Sequence, residues 1–166
     1  VTPGSSDGEP LWAHLDHPPH ADAAHIHLDG RQAARTAREF VRARLTGLPS
    51  DLVESAELLT SEVVTNGILH ARTGLEMGVS RTAKEIAVAV QDANDAMPSA
   101  RPAPAGDEIA QQGRGMAIIV ALADDFGWRP LPDRPGKVVW FTLKIDHGER
   151  EVTVIPAADD VSVTTD

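Results

Sequence analysis

The 166-residue sequence has no cysteine. That excludes a disulfide framework and any thiolate metal site, and it is consistent with a reducing cytosol. It has no apolar run long enough to span a bilayer, so no membrane role is expected. Residues 1–28 lack the basic start and apolar middle of a signal peptide, and a cytoplasmic location is the expectation. Cations are in deficit: the formal net charge is −10. Direct nucleic-acid binding needs clustered cations along the phosphate backbone, so it is not expected. Finally, no Gly-x4-Gly-Lys-Ser/Thr occurs anywhere, which excludes a P-loop nucleotide site.

What remains is an ordinary globular composition, 42% apolar and 24% charged, of a length that suits one domain with a normal core. Residues 1–22 are rich in Gly, Pro, Ser, Asp and His, and read as a mostly disordered lead-in. His14, His17, His20, His25 and His27 suggest either a metal site or a solvated tail. Pro18 and Pro19 keep them from converging on one helix face, and no partner ligand falls into a recognisable pattern. The folded domain is expected over residues 23–146, with an acidic tail over 147–166 that either pairs locally or stays disordered.

Within the domain, Ala24 to Leu28 alternates weakly, as a short edge strand does. Asp29 is placed to N-cap a helix over Gly30 to Leu45. Ala33, Ala37, Phe40, Val41 and Leu45 make its apolar face. Arg31, Arg35, Arg38 and Arg42 make an outer face, solvated or open to an acidic partner. Gly47 and Pro49 end it, and Ser50 or Asp51 caps the next helix. Leu75, Met77 and Val79, then Ile86, Val88 and Val90, alternate with small or polar residues and form a hairpin ending at Asp92. From Asn94 to Gln112 regularity disappears; a loop that long in a compact domain suits a lid. Met116 to Ala123 reads as helix, Asp125 to Arg129 as a short strand, and Lys137 to Ile145 as a central strand apolar on both faces.

Two stretches carry chemistry. On the helix leading to Ala71, Glu62, Asn66 and His70 recur at i, i+4 and i+8 and stack on one stripe. A carboxylate there can take a proton from a nucleophile. An amide oxygen one turn on is a hard neutral ligand suited to magnesium. The same spacing also arises on an ordinary solvated face. The second stretch is Gly113-Arg114-Gly115 at the start of a helix. There glycines let backbone amides approach a ligand, and the helix N-terminus favours phosphate. A plain loop glycine pair gives the same letters.

Together, Ser61-Glu62-Val63-Val64-Thr65-Asn66-Gly67-Ile68-Leu69-His70, Val90-Gln91-Asp92, Gly113-Arg114-Gly115-Met116 and Gly136-Lys137-Val138-Val139-Trp140-Phe141 resemble, in this order, the N box, two glycine boxes and closing strand of the GHKL (Bergerat-fold) ATP-binding domain. The chain looks most like the short anti-sigma-factor serine/threonine kinases of actinobacterial type. That resemblance implies an α+β two-layer sandwich, its sheet mixed but mostly antiparallel, with helices on one face. It implies ATP and Mg2+ as cofactors. Asn66 would hold the magnesium and Glu62 would be the general base toward a substrate serine. Asp92 would accept the adenine amino group. Gly113, Gly115 and Met116 would belong to the lid around the phosphates, with Arg114 close by. The implied partners are an anti-sigma antagonist protein, a sigma factor, and a second copy in a homodimer.

Two departures bear on activity. Asp92-Ala93-Asn94-Asp95-Ala96 has no glycine where the superfamily has Asp-x-Gly-x-Gly, and Gly67 stands where alanine is usual. A glycine inside a helix costs about 1 kcal/mol relative to alanine. The retained Glu62 points to a kinase. The missing glycines at 94 and 96 point instead to an ATP-gated module that sequesters a partner and turns nucleotide over slowly or not at all.

Overall fold

A computed structural model describes residues 11–12, 23–70, 74–94, 117–132 and 134–145, with the backbone alone for His70. The elements in chain order are β1 (Ala24–Leu28), α1 (Ala33–Arg44), α2 (Ser50–His70), β2 (Leu75–Arg81), β3 (Glu85–Asp92), a short helix α3 (117–122), β4 (Asp125–Pro130) and β5 (Lys137–Lys144). The expected α+β sandwich is present. Its sheet has the order β1-β2-β3-β5-β4, and all four pairings are antiparallel. β1 is an edge strand, as its weak alternation suggests, and β5 lies inside between β3 and β4. Among the described residues no helix is long and apolar enough to cross a membrane.

Alternation sorts the strands into two faces. Met77, Val79, Ile86, Val88, Val90, Val139, Phe141 and Leu143 point to one face, and Ala37, Val41, Leu52, Ala56, Leu59, Val63 and Val64 of the two long helices pack onto it. Ile119 of α3 is fully buried in the same core. Burying side chains of this size is the main favourable term, about 1.5–3 kcal/mol for each large apolar residue. Gly67 has a packing reason: a Cβ there would lie 2.9 Å from a Leu75 methyl carbon. Leucine on the first residue of β2 fills the space that a helical alanine would need.

Two boundaries differ from the sequence reading. α1 starts at Ala33, three residues later than expected, with Gln32 at the N-cap and no side-chain cap. Asp29 is not the cap, because Gly30 intervenes with a φ of 64°. That left-handed residue turns the chain between β1 and α1, and the Ala33 N–H donates to the Gly30 carbonyl at 3.3 Å. At the next junction the Pro49 carbonyl accepts the Val53 N–H at 3.1 Å, so the helical ladder of α2 begins at Pro49. Gly47, with a φ of 85°, makes the turn between the helices.

The second face of the sheet is not bare. Leu11 and Trp12 are both buried there, together with Ala89 and Val138, and Trp140 and Leu131 pack alongside. A Cβ on Gly78 would lie 2.6 Å from the Trp12 ring, so the glycine of β2 makes the seat for the indole. The Trp12 Nε1–H donates to His25 Nε2 at 3.4 Å. These two residues therefore depart from the disordered lead-in expected over residues 1–22: a composition rich in turn formers hides a two-residue apolar anchor. The prediction is that Trp12→Ala lowers stability by about 3–5 kcal/mol, the usual range for emptying a buried tryptophan site. Urea unfolding followed by circular dichroism measures it; a loss below about 1 kcal/mol would mean that the anchor contributes little.

Candidate functional site

α2 is clamped to α1 along one flank. The Arg42 guanidinium donates from Nε to Glu57 Oε1 at 2.5 Å and from a terminal nitrogen to Glu57 Oε2 at 2.8 Å. The Glu57 hydrogen bond, and then its charge, push the Arg42 pKa further up. One turn on, Arg38 donates to Ser61 Oγ at 3.0 Å, and that hydroxyl donates to the Glu57 carbonyl. Arg38 and Arg42 are thus helix–helix ties rather than a free outer face. Arg35 pairs along its own helix with Glu39. Arg42 is 70% exposed and Glu57 only 10%, so the tie matters more for keeping Glu57 paired than for raw ion-pair energy.

This clamp orients the polar stripe. At about 100° per residue, Glu62 and Asn66 lie roughly 100° and 140° around the axis from Ser61. That puts them on the flank turned away from α1, at the boundary between the core-facing and exposed sides. Both are half-buried. Among the described residues neither side chain makes a hydrogen bond or ion pair. A carboxylate and an amide one turn apart, half-buried and uncommitted, are free to serve a ligand.

Asp92 stands at the end of β3 on the face that carries Val90 and Val88, the side covered by the helices. Contacts place it at the same end of the sheet as the C-terminal half of α2. Gly67 packs on Leu75, the next residue Glu76 pairs with Gln91, and Asp92 pairs with Lys137. Three sequence-predicted residues, Glu62, Asn66 and Asp92, therefore share one end of the interface between helices and sheet. Gly113, Arg114, Gly115 and Met116, and all of the expected lid but its first residue, Asn94, lie outside the described residues.

Asp92 is only 4% exposed, and a buried carboxylate needs partners. Lys137 supplies them: its ammonium lies 3.0 Å from Oδ1 and 2.9 Å from Oδ2. The Asn94 N–H donates to Oδ1 at 2.8 Å, and the Asn94 carbonyl accepts from the same ammonium at 2.9 Å. Gly136, with a φ of 127°, lies against this turn; a Cβ on it would fall 2.2 Å from the Asp92 carbonyl oxygen. The sequence reading missed Lys137 as a site residue. The signal was there: a lysine two residues before Val139 falls on the core-facing phase of β5, where a cation needs a counter-charge.

Of the histidines, His27 bonds Glu76 at 2.7 Å and His25 meets Trp12 edge-on. Among the described residues no group of three or more metal-ligating side chains forms. The family model described as "Histidine kinase-like ATPase domain" matches residues 27–143, which takes in α1, α2 and every strand from β2 to β5. No curated protein matches the chain.

The two kinds of polar residue should separate in a stability measurement. Asp92→Ala strands the buried Lys137 charge and is expected to cost about 3–5 kcal/mol. Glu62→Ala breaks no described contact and should stay within about 0.5 kcal/mol of the parent. Chemical denaturation of both variants checks this; equal losses would contradict the assignment of Lys137 and Asp92 as a buried pair.

Proposed function

The chain belongs to the histidine kinase-like ATPase domain family, and from that membership we propose that it is a Mg-ATP-dependent serine/threonine protein kinase of the anti-sigma-factor kind. Membership carries ATP binding. The finer reading, that it phosphorylates an anti-sigma antagonist and so regulates a sigma factor, rests chiefly on one observation. Glu62 and Asn66 stand one turn apart on the unclamped flank of α2, without a partner among the described residues, at the end of the sheet that holds Asp92.

The donor set fits the cofactors. Asn66 would hold magnesium through its neutral amide oxygen, a hard donor of the type that ion prefers. ATP supplies the phosphoryl group to be transferred. Asp92 would accept a hydrogen bond from the adenine amino group, Glu62 would take the proton of the attacking serine hydroxyl, and Gly113, Arg114, Gly115 and Met116 would belong to the lid around the phosphates. A homodimer and a cytoplasmic location belong to the same proposal.

A second reading has its own support. Asp92-Ala93-Asn94 is drawn down onto Lys137 and carries no glycine at 94, so the start of the lid is stiffer than a glycine-bearing one would be. That favours an ATP-gated module that sequesters a partner and turns nucleotide over slowly or not at all.

Two single variants distinguish the readings. Asn66→Ala should weaken Mg-ATP binding in calorimetry. Glu62→Gln should bind Mg-ATP as the parent does, while transfer of label to an antagonist protein falls by roughly 100- to 10,000-fold, as for loss of a positioned base. Transfer by Glu62→Gln at the parental rate would overturn the assignment of the base. A parent that binds ATP but transfers nothing to any antagonist of its genome would favour the binding module.

A further inference from the structure

Lys137 has no role in the kinase reading above, yet it is among the most buried charged residues described, with a side chain only 8% exposed. Its ammonium has three N–H groups. Three acceptors surround it: Asp92 Oδ1, Asp92 Oδ2 and the Asn94 carbonyl. The lysine therefore has no donor to spare for a ligand. The carboxylate is different. Each of its oxygens can accept about two hydrogen bonds. Oδ1 takes the Asn94 N–H and the ammonium, whereas Oδ2 takes only the ammonium among the described residues. Among the described residues one acceptor direction on Oδ2 remains open, and no donor accompanies it.

We propose that Lys137 is a positioning residue that sets the base selectivity of the nucleotide site, by holding Asp92 as a charged, acceptor-only group. This rests on the reading of Asp92 as the residue that meets the base. An ionised carboxylate accepts hydrogen bonds and cannot donate one. In a pose that sets C6 of the base against Oδ2, it accepts from an amino group there, whereas a carbonyl at C6 would set oxygen against oxygen and leave the N1–H of that purine one atom out of line. A carboxylate buried to this depth without a counter-charge takes up a proton. It then gains an O–H donor and can meet either purine. The ammonium keeps the discrimination in place without touching the base.

The test compares ATP with inosine triphosphate, which differs at C6 and N1 of the base, by calorimetric titration of the full chain. The parent should favour ATP by about 100-fold or more, as for a site built to bond a substrate N–H. Lys137→Met should bring the two affinities to within roughly threefold, the acid now bonding both. Lys137→Arg, which keeps the charge, should restore most of the preference. A purely structural lysine predicts something else: Lys137→Met weakens both nucleotides equally and leaves their ratio at the parental value, and that result overturns the inference while leaving ATP binding intact. A parent that binds neither nucleotide overturns the functional reading and this inference with it.

Should Lys137→Met fail to fold, Asp92→Asn decides. The lysine can take only the amide oxygen, which turns the NH2 toward the base, so the preference should invert in favour of inosine triphosphate. A retained preference for ATP in that variant counts against Lys137 as the orienting group.

Discussion

The pairing of β3 with β5 is the constraint on which the rest depends. It joins residues 85–92 to 137–144 in one antiparallel register, across a sequence separation of 45 at the Asp92–Lys137 pair. Hydrophobic burial supplies the energy, since Val88, Val90, Val139 and Phe141 meet under α2. Register supplies the geometry. A slip of one residue would turn every side chain to the opposite face, sending Lys137 away from Asp92 and leaving two charges buried apart. The ion pair therefore makes the correct register cheaper than its neighbours. Pairing over such a separation closes a long loop before it is repaid, so this step is expected to form late in folding.

On the other side of the core, polarity again orients what hydrophobicity only attaches. Apolar packing would hold α2 against the sheet over a range of rotations. The bonds from Arg42 to Glu57 and from Arg38 to Ser61 select one, and in that rotation Glu62 and Asn66 are left facing neither α1 nor the middle of the core. The arginines act through helix orientation.

Much of this was legible in the sequence. Period-two patterns placed β2 and β3, a run apolar on both faces placed β5, and the spacing of Ala33, Ala37, Val41 and Leu45 identified the buried face of α1. The same periodicity put Glu62 and Asn66 on a single stripe. Local rules failed where a longer-range contact decided the outcome. Asp29 satisfies the rule for a cap, but Gly30 takes a left-handed turn and moves the helix start. The arginines of α1 look solvated until α2 brings Glu57 and Ser61 beside them. Lys137 gains its meaning only from Asp92, a neighbour in the sheet and not in the chain. Leu11 and Trp12 were outweighed by the turn-forming residues around them.

The indole packed on Gly78 has a spectroscopic consequence. The sequence contains three tryptophans and no tyrosine, so its ultraviolet emission comes essentially from indole. Trp12 and Trp140 both belong to the cluster behind the sheet, and Trp12 meets the His25 ring edge-on with centroids 6.1 Å apart. Release of the anchor would carry one fluorophore into water and uncover a second, while the third, Trp128, stays packed against the main core. The protein thus carries a built-in optical reporter for the back of its sheet, readable without any attached dye.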